Sequence, residues 1–206
     1  MRQVVPNPIL YCLRATPFGP VAVLWSIHRR EPKIVCILIS RPGIPAAHAL
    51  RKCFPASRAS SCPEMDILVD QIEASLNGED IRFSLDVVRL DLCSAFQQKV
   101  LRAEHAIPRG RVSTYSLLAK HLENPNGARA VGTALATNPF PLVIPCHRAI
   151  RSDGALGGYQ GGLKMKRTLL EMEGIVFRDA GHVATRGFFC ENQNRVTNQN
   201  RVSTID

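Results

Sequence analysis

Two features that mark whole classes of proteins are missing from this sequence of 206 residues. No apolar run is long enough to span a bilayer, so a helical membrane protein is excluded. The first eight residues lack the charged-then-apolar layout of a secretory signal peptide. We therefore expect a protein of the cytoplasm, or of the nucleus if the source is eukaryotic, with no membrane partner.

Ordered cysteine spacing is missing as well. The seven cysteines are an odd number, and no Cys-x-x-Cys motif occurs among them. His48, Cys53 and Cys62 lack the spacing of a standard zinc site. The pattern fits a reducing compartment, and it predicts neither a disulfide framework nor a bound metal.

Charge is distributed unevenly along the chain, whose formal net charge is +9. The first ninety residues carry eleven basic and eight acidic groups, whereas residues 99–151 carry eight basic and two acidic ones. Such a basic segment favours a polyanionic partner, of which nucleic acid is the usual one. A solvated basic face without a partner is the alternative, and the helical pattern of the same segment weakens it.

The first part of the chain predicts a small α/β unit. A helix is expected from about Pro63 to Leu76, and a further strand from Phe83 to Leu90. Residues 41–62 predict an irregular loop, because Pro, Ser, Arg and Cys dominate them. Three strand-like runs separated by turn signals are typical of an antiparallel meander: residues 9–15, 21–27 and 33–39.

The second part predicts a helical unit. Ser94 is a suitable cap for a helix over residues 95–105. Two further helices, near 112–122 and 128–137, are separated by a short turn, and this arrangement favours a helix-turn-helix. A last helix is expected over 163–173. The Asn- and Gln-rich end has no apolar periodicity, which predicts a disordered tail over 187–206.

The stretch Ile144-Pro145-Cys146-His147-Arg148 is the clearest chemical signal. A thiol reacts as a thiolate, and an adjacent imidazole can take its proton. A Cys-His pair alone is weak evidence, since many such pairs are core residues. The glycine-rich stretch 157–162 is not followed by the Gly-Lys-Ser/Thr of a phosphate loop, and it predicts a wall where backbone approaches a ligand.

Residues 93–176 resemble the O6-alkylguanine-DNA alkyltransferases, also called methylated-DNA–protein-cysteine methyltransferases. Residues 1–90 match this family only loosely, through the turn Thr16–Gly19. The order and spacing of nine segments carry the resemblance: Phe96-Gln97, Ile107–Gly110, Thr114-Tyr115, Ala128–Gly132, Asn138-Pro139, Pro145–Arg148, Tyr159-x-Gly161-Gly162, Lys166 and Leu169–Gly174.

The resemblance implies an α+β fold. A small N-terminal α/β domain of the ribonuclease-H-like type is expected over residues 1–90. A helical, winged helix-turn-helix DNA-binding domain is expected over residues 91–178.

The resemblance also implies DNA repair by direct reversal. Cys146 would take an alkyl group from oxygen-6 of a flipped-out guanine, irreversibly, once per molecule and without a cofactor. His147 would deprotonate Cys146 through a water, and Glu173 would orient His147. The partner would be double-stranded DNA containing O6-alkylguanine, bound by a monomer. The size of the adduct, and oxygen-4 of thymine as a second target, are left open by the sequence.

Other residues receive roles from the same resemblance. Tyr115 would donate a hydrogen bond to the leaving guanine, and Asn138 belongs to the same catalytic set. Arg129 would fill the gap left by the extruded base, from a recognition helix laid in the minor groove. The expected DNA-binding set also includes Thr114, Ala128, Ala130 and Gly132, and the expected pocket consists of Arg148, Tyr159, Gln160, Gly161 and Lys166.

The chain departs from the family pattern at three places. Gln160 stands where some members have a smaller residue, and its longer side chain is expected to narrow the pocket. Leu101 and Arg102 stand where many members have a Trp. Some members bind a structural zinc, but the aligned ligand positions hold Asn7, Ser26 and Glu31, so no zinc is expected.

Other functions fit part of the pattern. A homologue that binds alkylated DNA without accepting the group would lack the cysteine, so Cys146 argues against it. A transcription factor would explain Arg129 but not Cys146, His147 and Glu173 together. A Cys-His hydrolase would need an oxyanion hole, for which no motif is seen. A methyl acceptor that also regulates transcription stays open.

Overall fold

A computed structural model of the chain describes residues 8–184 and 188–189. The first half contains four strands and two helices: β1 Leu10–Arg14, β2 Val21–His28, β3 Glu31–Ile39, α1 Ala46–Cys53, β4 Arg58–Ala59 and α2 Pro63–Leu76. The second half contains four helices and two short strands: α3 Ala95–His105, β5 Ser113–Thr114, α4 Tyr115–His121, α5 Ala128–Ala136, β6 Ala149–Ile150 and α6 Gly162–Met172. The fold is therefore mixed α+β, as expected.

The first three strands form the expected antiparallel meander. The sheet has the order β3-β2-β1-β4, with β4 parallel to β1. β2 is central, and its residues 21–26 are all buried because both faces of the sheet are covered. One face contributes Val21, Val23 and Trp25 to the main core. The other face presents Ala22 and Leu24 to α1.

The irregular loop expected over residues 41–62 is wrong in part, because α1 and β4 lie within it. Ala46 and Leu50 are four residues apart and are 0% and 3% exposed against the outer face of the sheet. This spacing places both side chains on one side of a helix. The surrounding Pro, Ser and Arg residues hide an apolar pair that is too short to be detected as a periodic pattern.

The strand expected over Phe83–Leu90 is wrong. The segment forms two 3-10 turns, Leu85–Val87 and Leu90–Leu92, and makes one isolated bridge between Val88 and Ile34. The Ser84 hydroxyl accepts a hydrogen bond from the amide of Asp86, which closes the first turn locally. Phe83, Val88 and Leu90 are nevertheless buried, so the apolar pattern marks core contacts rather than a strand.

The helices of the second half lie close to their expected positions, and two have side-chain caps, of which Ser94 is the expected one. The Ser94 hydroxyl accepts from the amide of Gln97 at the start of α3. The Thr114 hydroxyl accepts from the amide of Leu117, 3.1 Å away, at the start of α4. These side chains satisfy amides that have no partner inside the helix.

A single core joins the two halves. Its buried members include Ile37 of β3, Val100 of α3, Leu135 of α5 and Met165 of α6. The amide of Ile37 also donates to the carbonyl of Pro139, 2.7 Å away. The edge of the N-terminal sheet therefore lies directly against the loop that follows α5. The division into domains 1–90 and 91–178 stays a prediction.

Only Phe188 and Phe189 of the expected disordered tail over 187–206 are described, and the rest lies outside the described residues. The amide of Phe189 donates to the carbonyl of Val112, and the Ser113 hydroxyl donates to the carbonyl of Phe189. In residues 8–184, every helix is too short or too polar to cross a membrane.

The packing of α1 on the sheet gives a stability prediction. Leu50→Ala leaves a cavity against Ala22 and Leu24, and we expect it to lower the free energy of unfolding by about 2–5 kcal/mol. Arg51→Ala changes the next, exposed residue of the same helix and should stay within about 0.5 kcal/mol of the parent. Urea unfolding of both variants measures the difference, and equal midpoints would contradict this packing.

Candidate active site

The loop between α5 and Cys146 is held by the buried side chain of Asn138. Its Oδ1 accepts from the amide of Phe140 at 2.9 Å, and its Nδ2 donates to the carbonyl of Ile144 at 3.1 Å. The carbonyl of Phe140 also accepts from the amide of Ile144, 2.9 Å away. This closed loop delivers Cys146 to the start of a 3-10 turn over Cys146–Arg148.

Cys146 is 5% exposed, and its environment keeps the thiol protonated. Burial raises the pKa of the thiol to about 11. A hydrogen bond with the Asn138 side chain and the positive charge of Lys166 act in the opposite direction, and the carboxyl of Glu104 acts with burial. A reaction at this sulfur therefore requires a base close by.

His147 has the protonation state that a base requires. Its Nε2 is 2.8 Å from Oε1 of Glu173. Because Glu173 is ionised, Nε2 carries the proton and donates it, which leaves Nδ1 with a lone pair. Nδ1 is buried and has no hydrogen-bond partner among the described residues. Burial lowers the pKa of His147 despite the neighbouring carboxylate, so the ring is neutral at pH 7.

Glu173, at the end of α6, accepts hydrogen bonds from the neutral His147 ring and from the Arg148 guanidinium. Burial alone would raise its pKa, but the bonds from His147 and Arg148 outweigh burial and bring the pKa to about 2. Arg148 donates from Nε to Oε2 and from Nη2 to Oε1, each at 2.9 Å. Its Nη1 donates to the carbonyl of Ile107 at 2.6 Å. The structure thus brings Glu173 to His147, which directly follows Cys146 in the chain.

A cavity of about 580 Å³ lies on the Cys146 side of this arrangement. Of the five residues expected to form the pocket, Tyr159 and Gln160 line this cavity, whereas Gly161, Arg148 and Lys166 do not. Arg148 is held behind the site by Glu173. The cavity is lined by Arg41, Tyr115, Gly132, Leu135, Ala136, Cys146, Arg151 and residues 157–160.

Tyr115 lies at the start of α4 and packs tightly against Gly157. A Cβ atom at Gly157 would lie 2.8 Å from the Tyr115 hydroxyl oxygen, and the backbone φ of +66° also favours glycine. Burial raises the pKa of Tyr115 to about 12, so the hydroxyl remains a hydrogen-bond donor. The glycine-rich stretch therefore brings its backbone against the cavity, which is the arrangement that the sequence predicts.

Gln160 and Tyr159 both have side chains held at the cavity wall. Nε2 of Gln160 donates to the carbonyl of Asn138 at 2.8 Å and to that of Ala136 at 3.2 Å. The Tyr159 ring meets His147 edge to face, with ring centroids 6.2 Å apart. Gly161 allows this packing, because a Cβ there would collide with Met165.

Lys166 and Glu104 are both fully buried behind the cavity, and they interact electrostatically without a hydrogen bond between them. Lys166 donates to the carbonyls of Ala149 at 2.6 Å, Leu156 at 2.5 Å and Gly158 at 3.3 Å, so it joins the Cys146 segment to the glycine-rich one.

Glu104 is 0% exposed, and neither carboxyl oxygen has a hydrogen-bond partner among the described residues. Burial raises the pKa of Glu104 to about 8 and lowers that of Lys166 to about 8. Sequence reasoning missed Glu104, although its i+4 spacing from Val100 places it on the inward face of α3.

The expected DNA-binding residues divide into exposed and buried ones. Arg129 and Ala130 are exposed on α5, and Ala128 is half-buried. The Arg129 guanidinium makes no hydrogen bond or ion pair with a described residue. Gly132 lines the cavity instead. Thr114 is 2% exposed and caps α4, so it supports Tyr115 from below the surface.

No three His, Cys, Asp or Glu side chains converge as a metal site in residues 8–184 and 188–189. Of the positions aligned with zinc ligands, Asn7 lies outside the described residues. Glu31 pairs with Lys33 at 2.7 Å, and Ser26 is buried in β2. The expected absence of zinc stays a prediction.

Known proteins resemble this chain over its second half and, more weakly, over most of its length. Residues 95–175 match the family described as 6-O-methylguanine DNA methyltransferase, DNA binding domain. A methylated-DNA–protein-cysteine methyltransferase of Methanothermobacter thermautotrophicus is 49% identical over 117 residues, which are 56% of this chain and 65% of that protein. The crystal structure of the O6-methylguanine methyltransferase of Mycobacterium tuberculosis superimposes on 80% of this chain and 92% of that one, with a TM-score of 0.61. The two sequences are 30% identical. A crystal structure of the M. tuberculosis protein in complex with DNA gives the same values.

The matches to curated relatives are partial. The chain spans less than two thirds of the length of these relatives. For three methylated-DNA–protein-cysteine methyltransferases, the matched share is 65%, 62% and 54% of the relative.

The unpaired carboxyl of Glu104 gives a prediction on stability against pH. Its folded pKa of about 8 is above its ordinary value of 4.5, so the folded state disfavours the charged form. Its contribution to stability is therefore greatest at low pH and declines as the pH rises from about 5 to about 8. Glu104→Gln should make this decline smaller.

Urea unfolding at several pH values measures the effect. Glu79→Gln, which changes an exposed glutamate, is the matched control and should retain the parent's pH dependence. An unchanged decline in Glu104→Gln would contradict the assignment.

Proposed function

The chain belongs to the 6-O-methylguanine DNA methyltransferase family, and we propose that it repairs DNA by moving an alkyl group from oxygen-6 of guanine onto Cys146. The observation that carries the proposal is the arrangement of Cys146, His147 and Glu173 beside a cavity. The buried thiol of Cys146 lines the cavity, and the neutral imidazole of His147 follows it in the chain. The carboxylate of Glu173 fixes the imidazole's proton on Nε2.

The transfer is a displacement at the alkyl carbon. The thiol proton passes through a water to Nδ1 of His147, and the sulfur attacks the carbon. The carbon–oxygen bond breaks, and its electron pair goes to the guanine. The Tyr115 hydroxyl and the backbone amide of Gln160 donate hydrogen bonds to the departing base, which stabilises the charge that develops there. The guanine takes up one proton, which is in net the proton that Cys146 lost, so His147 returns to its neutral form and the overall charge is unchanged.

Activation of the sulfur is uphill in the resting site. Burial raises the pKa of Cys146 and lowers that of His147, so the thiolate is rare. The reaction therefore depends on a substrate whose alkyl carbon is held close to the sulfur, because proximity compensates for a small reactive population. The product is a thioether, which is a poor leaving group, and each protein molecule acts once.

DNA binding is the second part of the proposal. We propose that α4 and α5 belong to a winged helix-turn-helix domain, and that the N-terminal unit has a ribonuclease-H-like fold. α5 presents the exposed Arg129 and Ala130 to the minor groove of double-stranded DNA, and the target nucleotide rotates out into the cavity. A monomer binds the duplex. The exposed guanidinium of Arg129 and the basic segment 99–151 support this orientation.

Intact-protein mass tests the transfer. After incubation with excess duplex containing one O6-methylguanine, the mass should rise by one methyl group and then saturate. Cys146→Ala should show no rise, because the acceptor sulfur is gone. Tight duplex binding without a mass change in the parent would refute alkyl transfer and favour a protein that only binds the lesion.

The rate of transfer tests the role of Glu173. Glu173→Gln keeps the shape but loses the charge that holds the proton on Nε2 of His147, and we expect the rate to fall by about 100-fold, at the low end of general-base effects. The readout is single-turnover alkylation at pH 7.5 under saturating duplex.

Glu171→Gln is the matched control, because Glu171 lies on the same helix and pairs with Arg167 at the surface. Its rate should equal that of the parent. The melting temperature of each variant separates loss of folding from loss of rate, and a parent-like rate in a folded Glu173→Gln variant would refute the role.

A further inference from the structure

One side of the cavity is formed by a residue from the N-terminal half. Arg41 follows β3 and begins a tight turn, Arg41-Pro42-Gly43-Ile44. The backbone N–H and C=O groups of Arg41 and Ile44 bond to each other in both directions, each at 2.9 Å. Pro42 and Gly43, with its φ of +72°, occupy the two central positions that favour these residues in a type II turn.

Contacts on both sides fix this turn relative to the cavity. The Ser40 hydroxyl donates to the carbonyl of Pro20 at 2.7 Å and accepts from the amide of Ala46 at 3.1 Å. Pro42 packs against the start of α6, where a Cβ at Gly162 would lie 2.9 Å from its ring. Arg41 therefore extends from a rigid support beside the glycine-rich segment.

The two arginines that line the cavity differ in what they contact. Arg151 is paired with Asp153 at 2.9 Å. Arg41 is exposed, and its guanidinium makes no ion pair or hydrogen bond with any residue in the described part of the chain. The positive charge at this side of the cavity is thus available to a ligand.

We propose that Arg41 binds a phosphate of the DNA backbone next to the flipped nucleotide. The inference rests on the function proposed above. A nucleotide whose base enters the cavity carries its two flanking phosphates to the opening, where an unpaired arginine can bind one of them. A guanidinium suits this ligand, because its fork of donors matches two phosphate oxygens. The N-terminal half then contributes directly to substrate binding.

Comparing two substrates tests the proposal. One is a duplex with a single O6-methylguanine, and the other is the free base O6-methylguanine, which carries the same adduct but no phosphate. Arg41→Ala should react about tenfold more slowly with subsaturating duplex, as expected for losing one charge-assisted hydrogen bond. Its rate with the free base should equal that of the parent. Arg41→Lys should recover part of the loss, because it keeps the charge without the fork.

Salt dependence gives a second readout on the same proteins. The slope of log affinity against log salt concentration should become shallower by about 1 in Arg41→Ala, the change expected for one phosphate contact. Fluorescence anisotropy with an unmodified duplex measures this slope without any alkyl transfer. Arg51→Ala removes an exposed charge of α1 that does not line the cavity, and it should leave the slope and both rates unchanged.

Three results would overturn the proposal. Equal losses with the duplex and the free base would assign Arg41 to the base itself, and unchanged duplex rate and slope would leave it without a role in binding. A slope change as large in Arg51→Ala would indicate a general charge effect. If the parent protein reacts with neither substrate, the proposed alkyl transfer fails, whereas the anisotropy measurement still decides whether Arg41 binds a phosphate.

Discussion

The shared carboxylate of Glu173 is the interaction on which the rest of the site depends. It lies at the end of α6 and accepts hydrogen bonds from His147 and Arg148, which are consecutive in the chain. Through Arg148 it also fixes the carbonyl of Ile107, which follows α3. One buried charge thus joins three segments of the second half. Because removing one partner of a buried pair leaves the other uncompensated, these segments are strongly constrained to keep this arrangement.

The ionisable groups of the site differ in how far their neighbours compensate for the effect of burial on their pKa. Glu173 is ionised because two donors compensate its burial, whereas Glu104 has no such donors and its pKa rises to about 8. Cys146 lies between these extremes, since Asn138 and Lys166 offset only part of its desolvation. In the proposed mechanism, the sulfur therefore stays unreactive until a substrate occupies the cavity. The proposed single-use acceptor gains from this restraint, because any other alkylation or oxidation of the thiol would end its activity.

Local signals predicted the second half better than the first. The Ser94 cap acts within three residues of the helix start that it defines, so the sequence alone is enough to place it. α1 depends on burial against the sheet, which no local pattern encodes, and the apolar residues near 85–92 resemble a strand although the Ser84 cap closes a 3-10 turn there. For the site, the order of Cys146, His147 and Glu173 indicated the family. Contacts between distant segments produce three further features that the sequence did not show: the fit of Gly157 against Tyr115, the inward position of Glu104 and the place of Arg41 at the cavity.

The N-terminal sheet lies against the loop that leads to the cavity, in addition to sharing a core with the second half. The hydrogen bond from Ile37 to Pro139 fixes the end of β3 beside the loop that Asn138 closes. The same strand leads directly into the turn that carries Arg41. A shift of the sheet would therefore change both the support of the Cys146 loop and the charge at the cavity opening. The N-terminal half is part of the site's structure, although the residues proposed to carry the chemistry all lie in the second half.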